Sequence, residues 1–230
     1  MSSVVILQAR TSSSRLPGKV LLPVNGIPLV VLAAKRASNT GRSVIIATST
    51  DNSDDGLVAC LQSYDLSYFR GSLKNTLDRI INALSHYDEK TIVFRLTGDN
   101  VFPDGALLDE IESEFLDKGH DYLCCNGESS GLPYGMSVEI TRLGVLREAN
   151  AMCTSDHDQE HVTPYVIRKY GAVFFEKYKN LKKGHYRCTV DCLDDYTSIQ
   201  KVFSDVVDPV CEPSVDLVRR LEGIPLQPVV

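Results

Sequence analysis

The chain has 230 residues, 43% of them hydrophobic, and a formal net charge of −6 at pH 7. That is enough apolar matter for one large core, and it excludes global disorder. The acidic balance argues against nonspecific binding to nucleic acid or anionic membrane, both of which reward a basic surface.

No apolar run approaches the roughly 20 residues that cross a bilayer. The opening MSSVVILQAR lacks a basic leader and a full apolar stretch, so no signal peptide is expected. Seven cysteines (Cys60, Cys124, Cys125, Cys153, Cys188, Cys192 and Cys211) are irregularly spaced and form no CxxC pair. Free thiols in a reducing cytoplasm are the expectation.

In chain order, Val4 to Leu7 is a β-branched run without helical period, which predicts a buried strand. Residues 25–38 read as a helix with Pro28 near its first turn. Residues 43–49 predict a second buried strand, and 53–64 a helix capped by Ser53. A third strand is expected over 66–71. Residues 73–87 form an amphipathic pattern with Leu77, Ile80, Ile81 and Leu84 on one face. A fourth strand over 91–99 and a helix over 103–117 follow. This alternation predicts a mainly parallel sheet with helices on both faces.

Regularity falls after about residue 120. Strands are expected over 121–127, 136–141, 172–178 and 186–191, and a loop over 128–135. Helices are expected over 142–152, over 161–170 with Thr163 as cap and Pro164 in the first turn, and over 194–206 with Asp194 as cap. With no repeat, low-complexity tract or linker, the reading is one domain over 1–230, less regular within about 121–185.

The stretch QARTSSSRLPGK (8–19) follows the first predicted strand. Ligands of open α/β sheets bind beyond the carboxyl ends of strands, where loop N–H groups converge on anions. Arg10, Arg15 and Lys19 in this loop suit a polyanion such as a nucleoside triphosphate. A Walker A loop ending at Lys19 requires Gly at Ser13 and Ser or Thr at Val20, so that motif is excluded, and no G-x-G-x-x-G occurs. From residue types alone, a merely solvated loop stays open.

Asp99 and Asp191 each end a predicted strand. Hard oxygen ligands there suit Mg²⁺, but on residue type alone helix capping is the commoner role for such an Asp. HDQEH (157–161) satisfies the H-x-x-E-H zinc pattern, but Pro164 follows closely and disfavours the helix that pattern needs.

LQARTSSSRLPGKVLLPVNGIPL resembles the N-terminal signature of sugar-activating cytidylyltransferases, the CMP-sugar synthetases, and most of all the branch typified by the spore coat polysaccharide biosynthesis protein F. Arg10, Ser13, Arg15, Leu16, Pro17, Gly18 and Lys19 fill its R-x-x-S-x-R-L-P-G-K pattern. VIIATSTDNSDD (44–55), FRGSLKNTLDR (69–79), RLTGDN (95–100), PYGMSVEI (133–140), EHVTPYV (160–166) and CTVDCLDDY (188–196) are similar to further family elements in the same order. Gln8 stands where several relatives have Pro, and Asn100-Val101 departs from a common Cys-Pro.

The resemblance implies a three-layer α/β/α, Rossmann-like nucleotide-diphospho-sugar transferase fold with a mainly parallel mixed sheet. It implies a sugar hydroxyl attacking the α-phosphate of CTP with loss of pyrophosphate, in a cytoplasmic homodimer without nucleic-acid or membrane partners. Gln8, Ala9, Arg10, Ser13, Arg15, Leu16, Gly18 and Lys19 are then expected around the triphosphate, with Ser72, Arg79, Thr97 and Gly98 near the base. Arg70, Gly71 and Asp78 would shape that pocket. Asp99 and Asp191 would bind Mg²⁺, making Arg10, Lys19, Asp99 and Asp191 the catalytic set. Tyr134, Gly135, Glu139 and His161 would border a sugar or sugar-acid acceptor, with His161 or Arg168 meeting its carboxylate.

Alternatives from other classes are a transferase using another nucleotide, a glycosyltransferase, and an inactive partner subunit. Gly98-Asp99-Asn100-Val101 lacks the second Asp of a D-x-D motif, which disfavours the glycosyltransferase. The intact cations and aspartates disfavour the inactive subunit.

Overall fold

In the computed structural model, which describes residues 2–224, Val4 to Leu7 of strand β1 (Ser3–Gln8) are all fully buried. A strand apolar on both faces belongs mid-sheet between two helical layers. A two-residue hairpin, β2 (Pro23–Val24) and β3 (Ile27–Pro28), leads into α1 (Leu29–Ala37). β4 (Val44–Ser49), α2 (Asp55–Ser63), β5 (Tyr68–Gly71), α3 (Thr76–Ala83), β6 (Ile92–Thr97) and α4 (Gly105–Asp117) continue the alternation. Then come β7 (Tyr122–Cys125), α5 (Gly127–Ser130), β8 (Val138–Arg142), α6 (Leu143–Met152), α7 (Asp156–His161), α8 (Pro164–Tyr170), α9 (Leu193–Phe203) and α10 (Ser214–Arg220).

The main sheet runs β5–β4–β1–β6–β8–β7. Its first four strands are parallel, while β8 runs antiparallel to both β6 and β7. The mainly parallel, mixed three-layer expectation therefore holds. One apolar layer joins the sheet to α1, α4, α9 and α10 through residues such as Leu32, Leu108, Phe115, Phe203 and Leu217. The opposite layer joins it to α3, α6 and α8 through Leu77, Ile80, Leu143, Leu146 and Val166.

Several local expectations are corrected. Residues 25–28 are not helical: Asn25 (φ 48°) and Gly26 (φ 77°) make the left-handed corner between β2 and β3, the geometry that an Asn-Gly pair favours in a two-residue hairpin. Ser53 is not the cap before α2; the Asp51 side chain accepts from the Ser53 N–H at 2.9 Å. Asp194 is not the cap of α9; Cys192 holds that place and Asp195 reaches back to its N–H at 3.0 Å. Thr163 turns its hydroxyl to Glu139, 2.8 Å away, and not to the start of α8.

Residues 172–178 and 186–191 are not strands. The first segment wraps around one residue, with Cys124 N–H on Val173 O and Phe175 N–H on Cys124 O, both 2.9 Å. The second crosses the strand tips through single bridges at Tyr134 and Asn100. Helix α7, capped by Ser155 at 3.1 Å from Asp158 N, forms where no helix is expected, and the short α5 occupies part of the expected 128–135 loop.

Candidate active site

The loop after β1 is held by a buried acid. Asp54 is fully buried. Its Oδ1 accepts from Thr11 N at 2.7 Å and Thr11 Oγ1 at 2.8 Å, and its Oδ2 from Ser49 N at 3.1 Å and from the Ser49 hydroxyl. Burial pushes this carboxyl up, but the bonds from Ser49 and Thr11 prevail and hold it below the usual carboxylate range. The loop closes where Gly18 N–H donates to Thr11 O at 2.8 Å. Gly18 has φ 72°, a left-handed conformation glycine adopts without a Cβ penalty.

That closure sends Lys19 back across the strand tips. Its Nζ, with the side chain only 9% exposed, lies 2.6 Å from Asp99 Oδ2 and 2.8 Å from Asp191 Oδ1. Arg15 adds a contact to Asp191 Oδ1 at 2.9 Å, and Arg187 grips the other oxygen. Arg187 Nε also reaches Asp195 Oδ1 at 3.0 Å, and Asp195 Oδ2 accepts from Asp191 N at 2.8 Å. Burial raises the Asp191 carboxyl, yet Lys19, Arg15 and Arg187 together bring it below its ordinary value. Asp99 is pinned by its own carbonyl, which accepts from Val190 N at 2.9 Å. Neither acid caps a helix, because Asp104 and Cys192 do that for the helices that follow.

These groups line a cleft of about 460 Å³. Of the expected residues, Gln8, Ala9, Arg10, Ser13, Arg15, Lys19, Arg79, Thr97, Gly98, Asp99, His161 and Asp191 line it. Gly98 has no room for a side chain, since a Cβ there would lie 2.9 Å from that of Ala9.

The other expected site residues do not line the cleft. Leu16 packs on the core and Gly18 makes the turn. The Ser72 hydroxyl accepts from Asn75 N at 3.0 Å while its carbonyl takes Arg79. Tyr134 lies under the Arg187 guanidinium, 5.1 Å from ring centre to Cζ. Gly135 packs where a Cβ would meet Thr189 at 2.6 Å. Glu139 is held by Arg95, Tyr122 and Thr163 behind the cleft wall. Arg70 binds the carbonyls of Ser49 and Asp51, Asp78 accepts from Asn82, and Gly71 packs on Arg79. Arg168 meets a carboxylate, but it is its neighbour Asp158, at 2.8 Å through both amino groups.

Arg79 is 1% exposed. Its amino groups reach Ser72 O and, at 3.3 Å, Thr76 Oγ1. Its Nε has no hydrogen-bond partner, and no carboxylate lies within ion-pair distance among the described residues. Burial, with Arg10 adding, pushes its pKa down to about 10 against the pull of Asp54. Arg10 itself donates to Leu73 O at 2.7 Å and lies 3.4 Å from Glu160.

Sequence reasoning missed Arg95, Thr76 and Glu160, which also line the cleft, and Arg187 behind it. A lone arginine inside the otherwise apolar IVFRLT was the available signal for Arg95. In HDQEH the helix does form, with the two imidazoles 4.5 Å apart. Glu160 is engaged by Arg10, and no three His, Cys, Asp or Glu side chains converge to hold a metal among the described residues.

The family model for cytidylyltransferases matches residues 4–201. The spore coat polysaccharide biosynthesis protein SpsF of Bacillus subtilis (strain 168) is 32% identical over 208 residues, covering 86% of this chain and 85% of that protein. A cytidylyltransferase structure from Leptospira borgpetersenii serovar Hardjo-bovis superposes with a TM-score of 0.85 at 28% identity, over 96% of this chain and 94% of that one. CMP:2-keto-3-deoxy-manno-octonic acid synthetase, solved in complex with CTP, shares the fold with a TM-score of 0.66 at 17% identity, over 89% of this chain and 99% of its own. The matched span runs from β1 through most of α9 and takes in the cationic loop and both strand-tip aspartates: the chain belongs to the cytidylyltransferase family of nucleotidyltransferases.

Proposed function

We propose that this enzyme transfers CMP from CTP to a hydroxyl of a sugar acid and releases pyrophosphate. The observation that carries the reading is the seating of Lys19 between Asp99 and Asp191 in the same cleft as Arg10 and Arg15. A structural neighbour solved with CTP supports the choice of nucleotide.

Each group has a task in this reading. Arg10, Arg15, Ser13 and the loop N–H groups bind the phosphates, and Lys19 offsets charge developing on the leaving pyrophosphate. Arg79 supplies donors that the protein leaves unused, matching the adjacent acceptors O2 and N3 of cytosine. Thr97 and Ala9 floor the cleft beside it.

Two carboxylates that already share a cation are a fitting donor set for Mg²⁺, which takes few protein ligands and completes its shell with water and phosphate oxygens. Asp99 and Asp191 would hold it, and when bound it supplies charge neutralisation and Lewis acidity. The acceptor hydroxyl oxygen bonds to the α-phosphorus as its proton passes to solvent, the bond from the α-phosphorus to the α–β bridging oxygen breaks, and pyrophosphate leaves with that electron pair. Positioning by the cleft supplies much of the acceleration. A cytoplasmic homodimer using part of 121–185 belongs to the same reading.

The test is pyrophosphate release from CTP and Mg²⁺ with a panel of sugar acids, alongside calorimetric binding of CTP, UTP, GTP and dTTP. Release with CTP and an acid supports the reading. Silence across the panel without CTP binding overturns it.

A further inference from the structure

Arg95 lies within a buried strand, and two neighbours aim it. Its register partner on β8 is Glu139, which pairs with Nη1. Its Nε donates to Gln8 Oε1 at 3.0 Å. Because Nε can only donate, this bond fixes the Gln8 amide with oxygen toward Arg95 and nitrogen away. Among the described residues neither Gln8 Nε2 nor Arg95 Nη2 donates to a protein atom, and both residues line the cleft.

Glu139 itself does not line the cleft. It receives the Tyr122 hydroxyl at 2.6 Å and the Thr163 hydroxyl at 2.8 Å as well as Arg95. It therefore ties β6, β7 and the start of α8 together behind the wall. Next to Thr163, fully buried Val162 has φ 71° and ψ −55° in a tight turn closed by Thr163 N–H on His161 O at 2.8 Å. A β-branched residue in that region is strained, and such strain concentrates at functional sites. The residue before Val162, His161, lines the cleft, as Arg95 does.

Arg79 lies on α3, which packs on β4, β5 and α7, whereas Arg95 is carried by β6. We propose that Arg95 is a specificity residue that recognises the carboxylate of the acceptor, with Gln8 beside it and Glu139 as the positioning residue. The proposal rests on the reading of the cleft as a CTP and sugar site, and names the group that selects the sugar. Gln8 Nε2 and Arg95 Nη2 only donate, and a carboxylate only accepts, whereas a row of sugar hydroxyls asks for acceptors in return. Around the cleft the cations Arg10, Arg15, Lys19, Arg79 and Arg95 outnumber the carboxylates Asp99, Glu160 and Asp191, so a further anion is tolerated.

The experiment compares 3-deoxy-manno-octulosonate and N-acetylneuraminate with their carboxamides, as acceptors and as ligands of the CTP-loaded protein. In the wild type the acids are expected to bind at least about 10-fold better than the amides, as for a site whose buried donors are left unpaired by the wrong group. Arg95→Met is expected to erase that ratio while the CTP Kd changes less than about 2-fold. Arg95→Lys keeps a charge opposite Glu139 and guards against misfolding; it is expected to raise acceptor KM about 10-fold or more, since the fork geometry is lost. Glu139→Gln is expected to raise acceptor KM with CTP KM unmoved. An acid-to-amide ratio unchanged in both Arg95 variants overturns the proposal, as does CTP binding accompanied by acceptance of neutral sugars alone. Failure of the wild type to bind CTP at all instead marks failure of the underlying functional reading.

Discussion

Asp54 holds Thr11 through both backbone N–H and hydroxyl, at 2.7 and 2.8 Å, so a buried acid at the entry to α2 fixes the cationic loop that follows β1. Asp54→Ala removes the acceptor for four donors and leaves buried groups unpaired. It is expected to cost about 2–4 kcal/mol in urea denaturation and to weaken CTP about 10-fold through loss of loop order.

The same carboxyl gives a pH signature. Its folded pKa lies below its unfolded one, so its contribution is fully present above the ordinary carboxylate value of about 4 and fades as pH falls through the lower folded value. Wild-type stability is therefore expected to fall more steeply below about pH 4 than that of Asp54→Asn. Parallel acid titrations of the two melting temperatures check this.

Arg79 has no ion-pair partner among the described residues, and on the proposed function its burial is a cost borne for the ligand. Arg79→Met is expected to leave the free protein as stable or about 1 kcal/mol more stable, in the manner of other buried functional charges. CTP affinity is expected to drop about 10-fold or more. Melting curves with and without CTP separate the two effects: the melting temperature of the free variant holds or rises while its CTP-induced shift collapses.

Asp99→Asn and Asp191→Asn are each expected to abolish turnover, by about 1000-fold or more, with melting temperature changed by only a few degrees. Lys19→Met leaves Asp99 without its cation beside an Asp191 still held by Arg15 and Arg187, which destabilises. Its melting temperature is expected to rise more on adding Mg²⁺ than that of the wild type. An equal rise would remove the shared-cation account of the strand tips.

Gly135→Ala tests backbone crowding against Thr189. Gly135 has φ 90° and its missing Cβ would meet Thr189 2.6 Å away. The substitution is expected to destabilise by about 2–4 kcal/mol, measured by chemical denaturation.

The parallel half of the fold was legible because its strands are continuous apolar runs separated by periodic helices, and nothing else buries Val4–Leu7 or Ile92–Leu96. The cationic loop was legible because Arg10, Arg15 and Lys19 fall in a fixed pattern. Residues 172–178 and 186–191 were misread because β-propensity registers a pleated, half-buried environment and not the presence of a partner strand. The network around Glu139 was not legible for a related reason: its partners Arg95, Tyr122 and Thr163 are 44, 17 and 24 residues away, and no local pattern encodes that convergence. Helix α7 was discounted on account of Pro164, yet that proline opens the next helix after a two-residue break at Val162 and Thr163.

Lys19 makes the resting enzyme its own counter-ion. With an ammonium already lodged between Asp99 and Asp191, the two acids are not a bare repulsive pair, and the melting temperature is expected to hold in chelators. On the proposed function, loading with magnesium and nucleotide would swap one positive charge for another, and the displaced lysine would be free to turn to the phosphates.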